Sequence, residues 1–431
     1  MTVKYKIYRC FNRIKCFNLS EFIKERKIEG ELVVKKGTLD KNEINESKSD
    51  FGTVITVSAA HMAHDTYSSF LAPVVPILIK SVGLTKFQIG WLDFAIKIPS
   101  LLNPFFGMIS DKTDAKYFMI IGIIIMTVSM SLIGLMPDFI SLFILILIAG
   151  IGSGIFHVPG PVIIKKTAGD RLGLGMSFYM IGGEFARTLG PVLILGAVSL
   201  WTFEGSWKVM VFGLLVAVLL YYRVRKIDVH KNGKGHIGHK RSYKKYVPFF
   251  MIIAGITVFR SAMGSAFTLF LPAYLTSKGA SLWAAGLSLS VFQFSGTFGT
   301  LSMGLISDRI GRKKSLLIIA VLSPLLMFLF NMVEGAAIFP VLVLTGLVHF
   351  GFNPITLALV QERDSENLSF LNGTYMTISF LGSSLTVLTI GYLSDRIGLD
   401  RTYDVVAYLA IFVIPFVLML ENDNKKKPEE I

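Results

Sequence analysis

GLISDRIGRKK, residues Gly304–Lys314, joins two apolar runs that are each long enough to cross a bilayer. Small residues at the end of the first run permit close helix approach. An acid, Asp308, then meets the basic turn Arg309, Gly311, Arg312. Two weaker copies lie elsewhere: GMISDKTDAKY from Gly107, with its acid at Asp111, and GYLSDRIG from Gly391, with its acid at Asp395. A sharp polar turn recurring between long apolar segments is the pattern of a chain that crosses a membrane many times.

Composition agrees. Of 431 residues 52% are hydrophobic, 34 are Phe and 39 are Gly, and the mean hydropathy is +0.61. That is too apolar for a water-soluble chain of this length. Crossing a hydrocarbon core of ~30 Å takes about 20 helical residues, and helices satisfy their own backbone polar groups in lipid. By that length the chain holds twelve runs, at 53–79, 87–109, 117–136, 139–164, 173–200, 207–223, 247–275, 283–306, 315–333, 337–360, 370–393 and 403–420. The expected fold class is an all-α polytopic membrane protein with twelve transmembrane helices in two pseudo-symmetric six-helix bundles.

The net charge of +14 does not point to nucleic acid, because the basic residues gather in alternate loops. With the N-terminus cytoplasmic, the loops on that side carry 19 Lys/Arg and the opposite loops six. This bias places both termini inside and the protein in the plasma (inner) membrane. The expected organisation is an N-terminal extension (1–51), a bundle (52–223), a central loop (224–246), a second bundle (247–420) and a tail (421–431). Residues 1–50 carry 12 Lys/Arg and lack a clean apolar signal segment. Both cysteines, Cys10 and Cys16, lie there, so neither a disulfide between outer loops nor a zinc motif is expected. His230, His236 and His239 are widely spaced in a Gly/Lys-rich loop and read as solvated, not as metal ligands. No cofactor and no metal are expected.

The halves repeat. A shift of about 200 residues sets Gly173, Met176, Ser177 and Gly182 on Gly373, Met376, Thr377 and Gly382. Similar shifts bring Gly107 and Asp111 onto Gly304 and Asp308, Pro73 onto Pro272, and His61 onto Arg260. Duplicated bundles let two halves rock about a shared central site.

With these residues in view, the chain resembles the major facilitator superfamily over about residues 52–420. The signature G-x-[LI]-x-D-[RK]-x-G-R-[KR] is met in full by Gly304–Lys313, between runs 8 and 9. In the first copy Asp114 and Ala115 replace the usual Gly and Arg. Within the superfamily the chain is similar to the fosmidomycin-resistance-like drug-efflux branch, through HDTYSSFLAPVVP (His64–Pro76), GIGSGIFHVPG (Gly150–Gly160) and GLGMSFYMIGGEFARTLGP (Gly173–Pro191). The basic residue that many drug antiporters carry in run 4 is absent, Ile146 standing near its place. The resemblance implies a monomeric secondary transporter and not an enzyme, working by alternating access. It would export a small organic compound, a drug or metabolite, in exchange for protons. Gly107, Asp111, Gly304, Asp308, Arg309, Gly311 and Arg312 would form its gating motif.

Ionisable groups inside apolar runs are costly, so function or pairing is their default reading. His61, His64 and Asp65 share run 1, with His61 and Asp65 at i, i+4, which allows a proton relay or a static cluster. Glu184 is the second proton-coupling candidate. It forms an i, i+3 pair with Arg187 that reads as a helix lock or as part of the coupling. Lys97, one turn from Asp93, faces either that acid or a substrate. Arg260 has no acid within a turn on its own helix and needs a partner across the bundle, Asp65 or Glu184, or a substrate anion. His157 and His349 sit beside prolines that break helices. With Gln293 and Asn353, these four complete the cavity candidates Lys97, His157, Arg187, Arg260, Gln293, His349 and Asn353, and Tyr179 and Trp283 are further liners. Absence of GxxxxGK[ST] removes support for ATP-driven transport. Two rival readings stand: proton-coupled uptake of an organic anion, and a non-transporting membrane scaffold or sensor. The expected partners are a small-molecule substrate, protons and the lipid bilayer.

Overall fold

The structure is a computed structural model that describes residues 50–103, 105, 106, 109, 114–225, 243–363 and 368–421. Among them every regular element is helical. Asp50 caps the first helix through its side chain, so α1 starts at Phe51. The helices are α1 (Phe51–Ser68, continued by Leu71–Ile77), α2 (Lys86–Lys97), α3 (Ala115–Ser131), α4 (Phe139–His157, continued by Gly160–Thr167), α5 (Leu172–Trp201) and α6 (Met210–Val224). They are followed by α7 (Val247–Ser265, continued by Leu271–Ser277), α8 (Leu282–Ile310), α9 (Arg312–Met332), α10 (Ile338–Gln361), α11 (Leu368–Ile397) and α12 (Leu399–Ile411, continued by Val413–Met419). Each of the twelve apolar runs thus corresponds to one helical segment.

Ten of these segments are long and apolar enough to span a membrane. The two others are α1, whose apolar run is interrupted by His61, His64 and Asp65, and α2, only 12 residues long. Run 2 was expected to continue to residue 109. Within it Pro99, which lacks a backbone N–H, stands where the helix tightens into a 3-10 turn over Ile98–Leu102, and the described residues beyond that turn, Asn103, Phe105, Phe106 and Ile109, are α-helical again. Proline likewise marks the breaks in α4, at Pro159 and Pro161. The breaks in α1 and α7 both precede segments containing the repeat-related Pro73 and Pro272.

Packing repeats as the sequence does. In residues 50–225, α1 lies on α5, α2 on α4 and α3 on α4; in residues 243–421, α7 lies on α11, α8 on α10 and α9 on α10. Close approach depends on small residues. A Cβ added at Gly122 of α3 would stand 2.7 Å from the Gly152 carbonyl oxygen and 2.9 Å from Phe156 Cα on α4, and backbone cannot move aside. Gly122→Val is therefore expected to destabilise the bundle by about 1–3 kcal/mol. A lowered melting temperature of the purified protein checks this, and an unchanged one argues against the α3–α4 packing.

The two sets of helices meet along α2–α11 and α5–α8, and where Leu71–Ile77 packs on Leu271–Ser277. At that end they share one apolar core, in which Phe70, Leu71 and Val74 pack with Phe267, Phe270 and Tyr274. Towards the other end the core divides. One part is built from residues such as Val57, Ile123 and Phe156 of the first set, the other from Phe250, Ile319 and Phe352 of the second. The two halves are therefore fused by hydrophobic burial at one end and separately packed at the other.

The fused end is also latched by polar contacts. Asp395, at the end of α11, accepts the backbone N–H of Lys86 at 2.9 Å and of Phe87 at 2.8 Å, the first two residues of α2. Lys86 Nζ lies 3.5 Å from the same carboxylate. Trp283, expected to line a cavity, stands on the α5–α8 seam at this end and donates to Ser199 Oγ at 2.8 Å. At the opposite end the ion pairs Asp50–Arg223, Arg312–Glu362 and Arg363–Glu421 each stay within one half.

Candidate functional site

Between the halves lies a cavity of about 490 Å³. Its wall takes Ser68 and Ser69 from the break in α1, Asp93 and Lys97 from α2, Arg187 from α5, Arg260 and Ser261 from α7, Gln293 from α8, Asn353 from α10 and Tyr375 from α11. Of the seven cavity residues expected from sequence, Lys97, Arg187, Arg260, Gln293 and Asn353 are on this wall. His157 and His349 are not among the lining residues.

Each cation on the wall has a different hold. Lys97 pairs with Asp93 at 2.5 Å, the same-helix partner that the i, i+4 spacing offered. Arg187 lies 3.4 Å from Glu184, a long and half-exposed pair. Neither Asp65 nor Glu184 is the partner found for Arg260. Its guanidinium instead donates to the backbone carbonyl of His349 at 2.6 Å, and its carbon sits 4.3 Å from the centre of the Phe352 ring. The His349 ring also approaches, with Nε2 3.5 Å from the same guanidinium nitrogen, so His349 holds Arg260 in place from behind the cavity wall. Arg260 Nε is buried without a protein partner. Three cations against the single acid Asp93 give the cavity wall a positive balance, surrounded by hydroxyl and amide groups that can orient a small polar compound.

A second constellation joins α1, α4 and α5. His64 Nδ1 lies 2.8 Å from Asp65 Oδ1, His157 Nε2 lies 3.3 Å from Oδ1, and His61 Nε2 lies 3.5 Å from Oδ2. His61 stacks on Tyr179 at 4.0 Å between ring centres, and its Nδ1 meets the Tyr179 carbonyl oxygen at 2.7 Å. His157 Nδ1 similarly meets the Ser153 carbonyl oxygen at 2.9 Å. Only glycine leaves room for this at position 183, where a Cβ would lie 2.5 Å from His61 Cε1. Sequence spacing linked His61 to Asp65 but gave no sign that His157 completes the group. The ligand atoms that His61, Asp65 and His157 can offer all lie within 4.8 Å of one another, close enough to hold a metal ion.

The turn between α8 and α9 shows how the basic motif is used. Gly311 has φ +99°, a conformation that favours glycine. Arg312 then turns back to Asp308 at 2.6 Å and across to Glu362 at 2.9 Å. Arg312 is thus the partner of Asp308 within the basic turn, while Asp395 accepts helix N-terminal amides at the other end. Gly107 and Asp111 lie outside the described residues, as do His230, His236 and His239.

A family model described as Major Facilitator Superfamily matches residues 57–387. The uncharacterized MFS-type transporter YfnC of Bacillus subtilis (strain 168) is 26% identical, covering 86% of this chain and 93% of that protein. The fosmidomycin resistance protein of Escherichia coli (strain K12) is 23% identical, covering 88% and 95%. Among solved structures, a bacterial homolog to the human lysosomal transporter Spinster superposes with a TM-score of 0.71 at 14% identity, covering 85% of this chain and 96% of that one.

Proposed function

Because the chain belongs to the major facilitator superfamily of membrane transporters, we propose that it exports a small organic compound in exchange for protons, presenting one central cavity alternately to the two sides of the plasma membrane. The observation that carries this reading is the cavity enclosed between two halves that share a core at one end only. Such halves can pivot, closing one end as the other opens. With both termini inside, the latched end faces outward and the separately packed end faces the cytoplasm.

The coupling proton is assigned to Glu184. Among the described residues its ion-pair partner is Arg187, at 3.4 Å, and Arg187 reaches the cavity wall. Proton and compound compete: a compound seated beside Arg187 is expelled when Glu184 takes up a proton and rebinds when that proton leaves, the mutual exclusion that exchange requires. Asp65 is less suited, since three imidazoles already surround it.

A relative's name supplies the first probe, fosmidomycin, for a flux panel in proteoliposomes. The expected result is transport that rises when a pH gradient is imposed. Glu184→Gln should keep exchange of labelled for unlabelled compound while losing the gradient-driven component by at least tenfold. Full gradient-driven accumulation by Glu184→Gln would remove Glu184 from the mechanism. The second reading is uptake of an organic anion, favoured by Lys97, Arg187 and Arg260 on a wall whose one acid is Asp93. Flux in right-side-out against inside-out vesicles separates the two directions.

A further inference from the structure

The group around Asp65 carries a chemistry that export does not use. A carbonyl oxygen only accepts hydrogen bonds. The contacts of His61 Nδ1 with the Tyr179 carbonyl and of His157 Nδ1 with the Ser153 carbonyl therefore fix both Nδ1 atoms as donors. In each neutral ring the lone pair is then on Nε2, and both Nε2 atoms are aimed at the Asp65 carboxylate. Two lone pairs converging on an anion repel each other and the anion unless a cation lies among them.

That cation is a proton or a metal ion, and the distances distinguish them. An imidazolium donating to a carboxylate closes to ~2.7–2.9 Å, and His64 does approach this same carboxylate to 2.8 Å. His157 and His61 remain at 3.3 and 3.5 Å. Ligands bound to zinc at ~2.0–2.2 Å in a tetrahedron stand about 3.4 Å apart along each edge. The outer contacts also match those of metal sites, where the second ring nitrogen of each histidine is held by a carbonyl and the carboxylate is itself hydrogen-bonded. Here the Tyr179 and Ser153 carbonyls and His64 fill these places.

We propose that His61 Nε2, Asp65 and His157 Nε2 bind a divalent transition-metal ion of the zinc class, tying α1 to α4 inside the first half. The widest ligand separation, at most 4.8 Å, closes by small side-chain rotations. The side chain of His157 is 37% exposed, which leaves the fourth coordination position open to water or to a donor atom of a bound compound. Two nitrogens and one oxygen suit zinc better than magnesium or calcium, which prefer all-oxygen sites. The site is independent of the Glu184 coupling and of the direction of transport.

The test uses the full chain in detergent, purified without a histidine tag, stripped with chelator and titrated with Zn2+ or Co2+. His230, His236 and His239 are replaced by Gln throughout, so that the central loop contributes nothing. The expected result is one Zn2+ per chain, a rise in melting temperature with Zn2+ and the intense visible absorption of tetrahedral Co2+. His157→Ala should weaken Zn2+ binding by roughly a hundredfold or more, since even loss of an outer partner costs about 10–100-fold. His157→Cys should restore binding and add a thiolate-to-Co2+ charge-transfer band, which separates a lost ligand from a lost fold. Absence of stoichiometric Zn2+ binding in the otherwise unchanged chain would overturn the proposal, as would undiminished affinity in a folded His157→Ala variant.

Discussion

Asp395→Asn is expected to unlatch the end at which it caps α2, the end the proposed orientation places outside, and to raise the rate at which the central cavity is reached through that end by roughly 30-fold. The Asp395 carboxylate accepts two amide hydrogen bonds at the first turn of α2 and has Lys86 Nζ nearby. A negative charge at that position also meets the positive end of the helix dipole. All three contacts cross from one half to the other, so they exist only while this end is closed. Hydrogen bonds to a charged group contribute about 1.5–3 kcal/mol each. Asparagine keeps one acceptor oxygen but loses the charge, so a net loss of about 2 kcal/mol follows, equivalent to about 30-fold in the balance of closed and open forms. The measurement is the reaction of a cysteine at cavity residue Ser383 with a membrane-impermeant maleimide, in a chain whose native Cys10 and Cys16 are replaced by Ser. A labelling rate equal to that of the Asp395 chain would show that the latch carries no weight.

Arg260→Gln should weaken binding of the transported compound by roughly a hundredfold while leaving the protein folded. The guanidinium is fixed by the His349 carbonyl at 2.6 Å and by the Phe352 ring, so little ordering remains to be done when a compound arrives. The same side chain lines the cavity, where its positive charge faces an arriving compound. Removing one member of a buried charged contact costs about 2–5 kcal/mol. Glutamine can still donate to the His349 carbonyl, which preserves the α7–α10 contact. Arg260→Lys keeps the charge but loses the planar fork, and an intermediate affinity is expected. Equilibrium binding of the labelled compound checks the series; an Arg260→Gln affinity within twofold of the parent would place the substrate elsewhere in the cavity.

Much of this fold is legible in the sequence because the relevant signals are local. Apolar run length gives the helices, and a recurring offset near 200 residues gives the repeated packing of α1 on α5 and α7 on α11. Pairs three or four residues apart, such as Asp93–Lys97 and Glu184–Arg187, follow from helix periodicity. The 3-10 turn at Ile98–Leu102 was not legible, because a run of hydropathy continues unbroken through Pro99 while the regular hydrogen-bond ladder is interrupted there. What stayed hidden depends on which helices become neighbours. His157 reaches Asp65 from α4, Arg260 turns to a backbone carbonyl on α10, and Asp395 caps a helix in the other half. The three related motif copies look alike in sequence, yet their acids find different partners. In the folded chain Arg312 pairs with Asp308, and the acid of the weak echo at Gly391–Gly398 caps the start of α2, against which it lies.

Alternating access requires that opening one end closes the other, and paired electron-spin distances test this without knowledge of the substrate. Labels at Ser81 and Arg401 report on the latched end, and labels at Leu174 and Gln361 report on the opposite end. If the halves pivot, Asp395→Asn lengthens the Ser81–Arg401 distance population and shortens the Leu174–Gln361 population. Lengthening at both ends, or a change at the latched end alone, would contradict it.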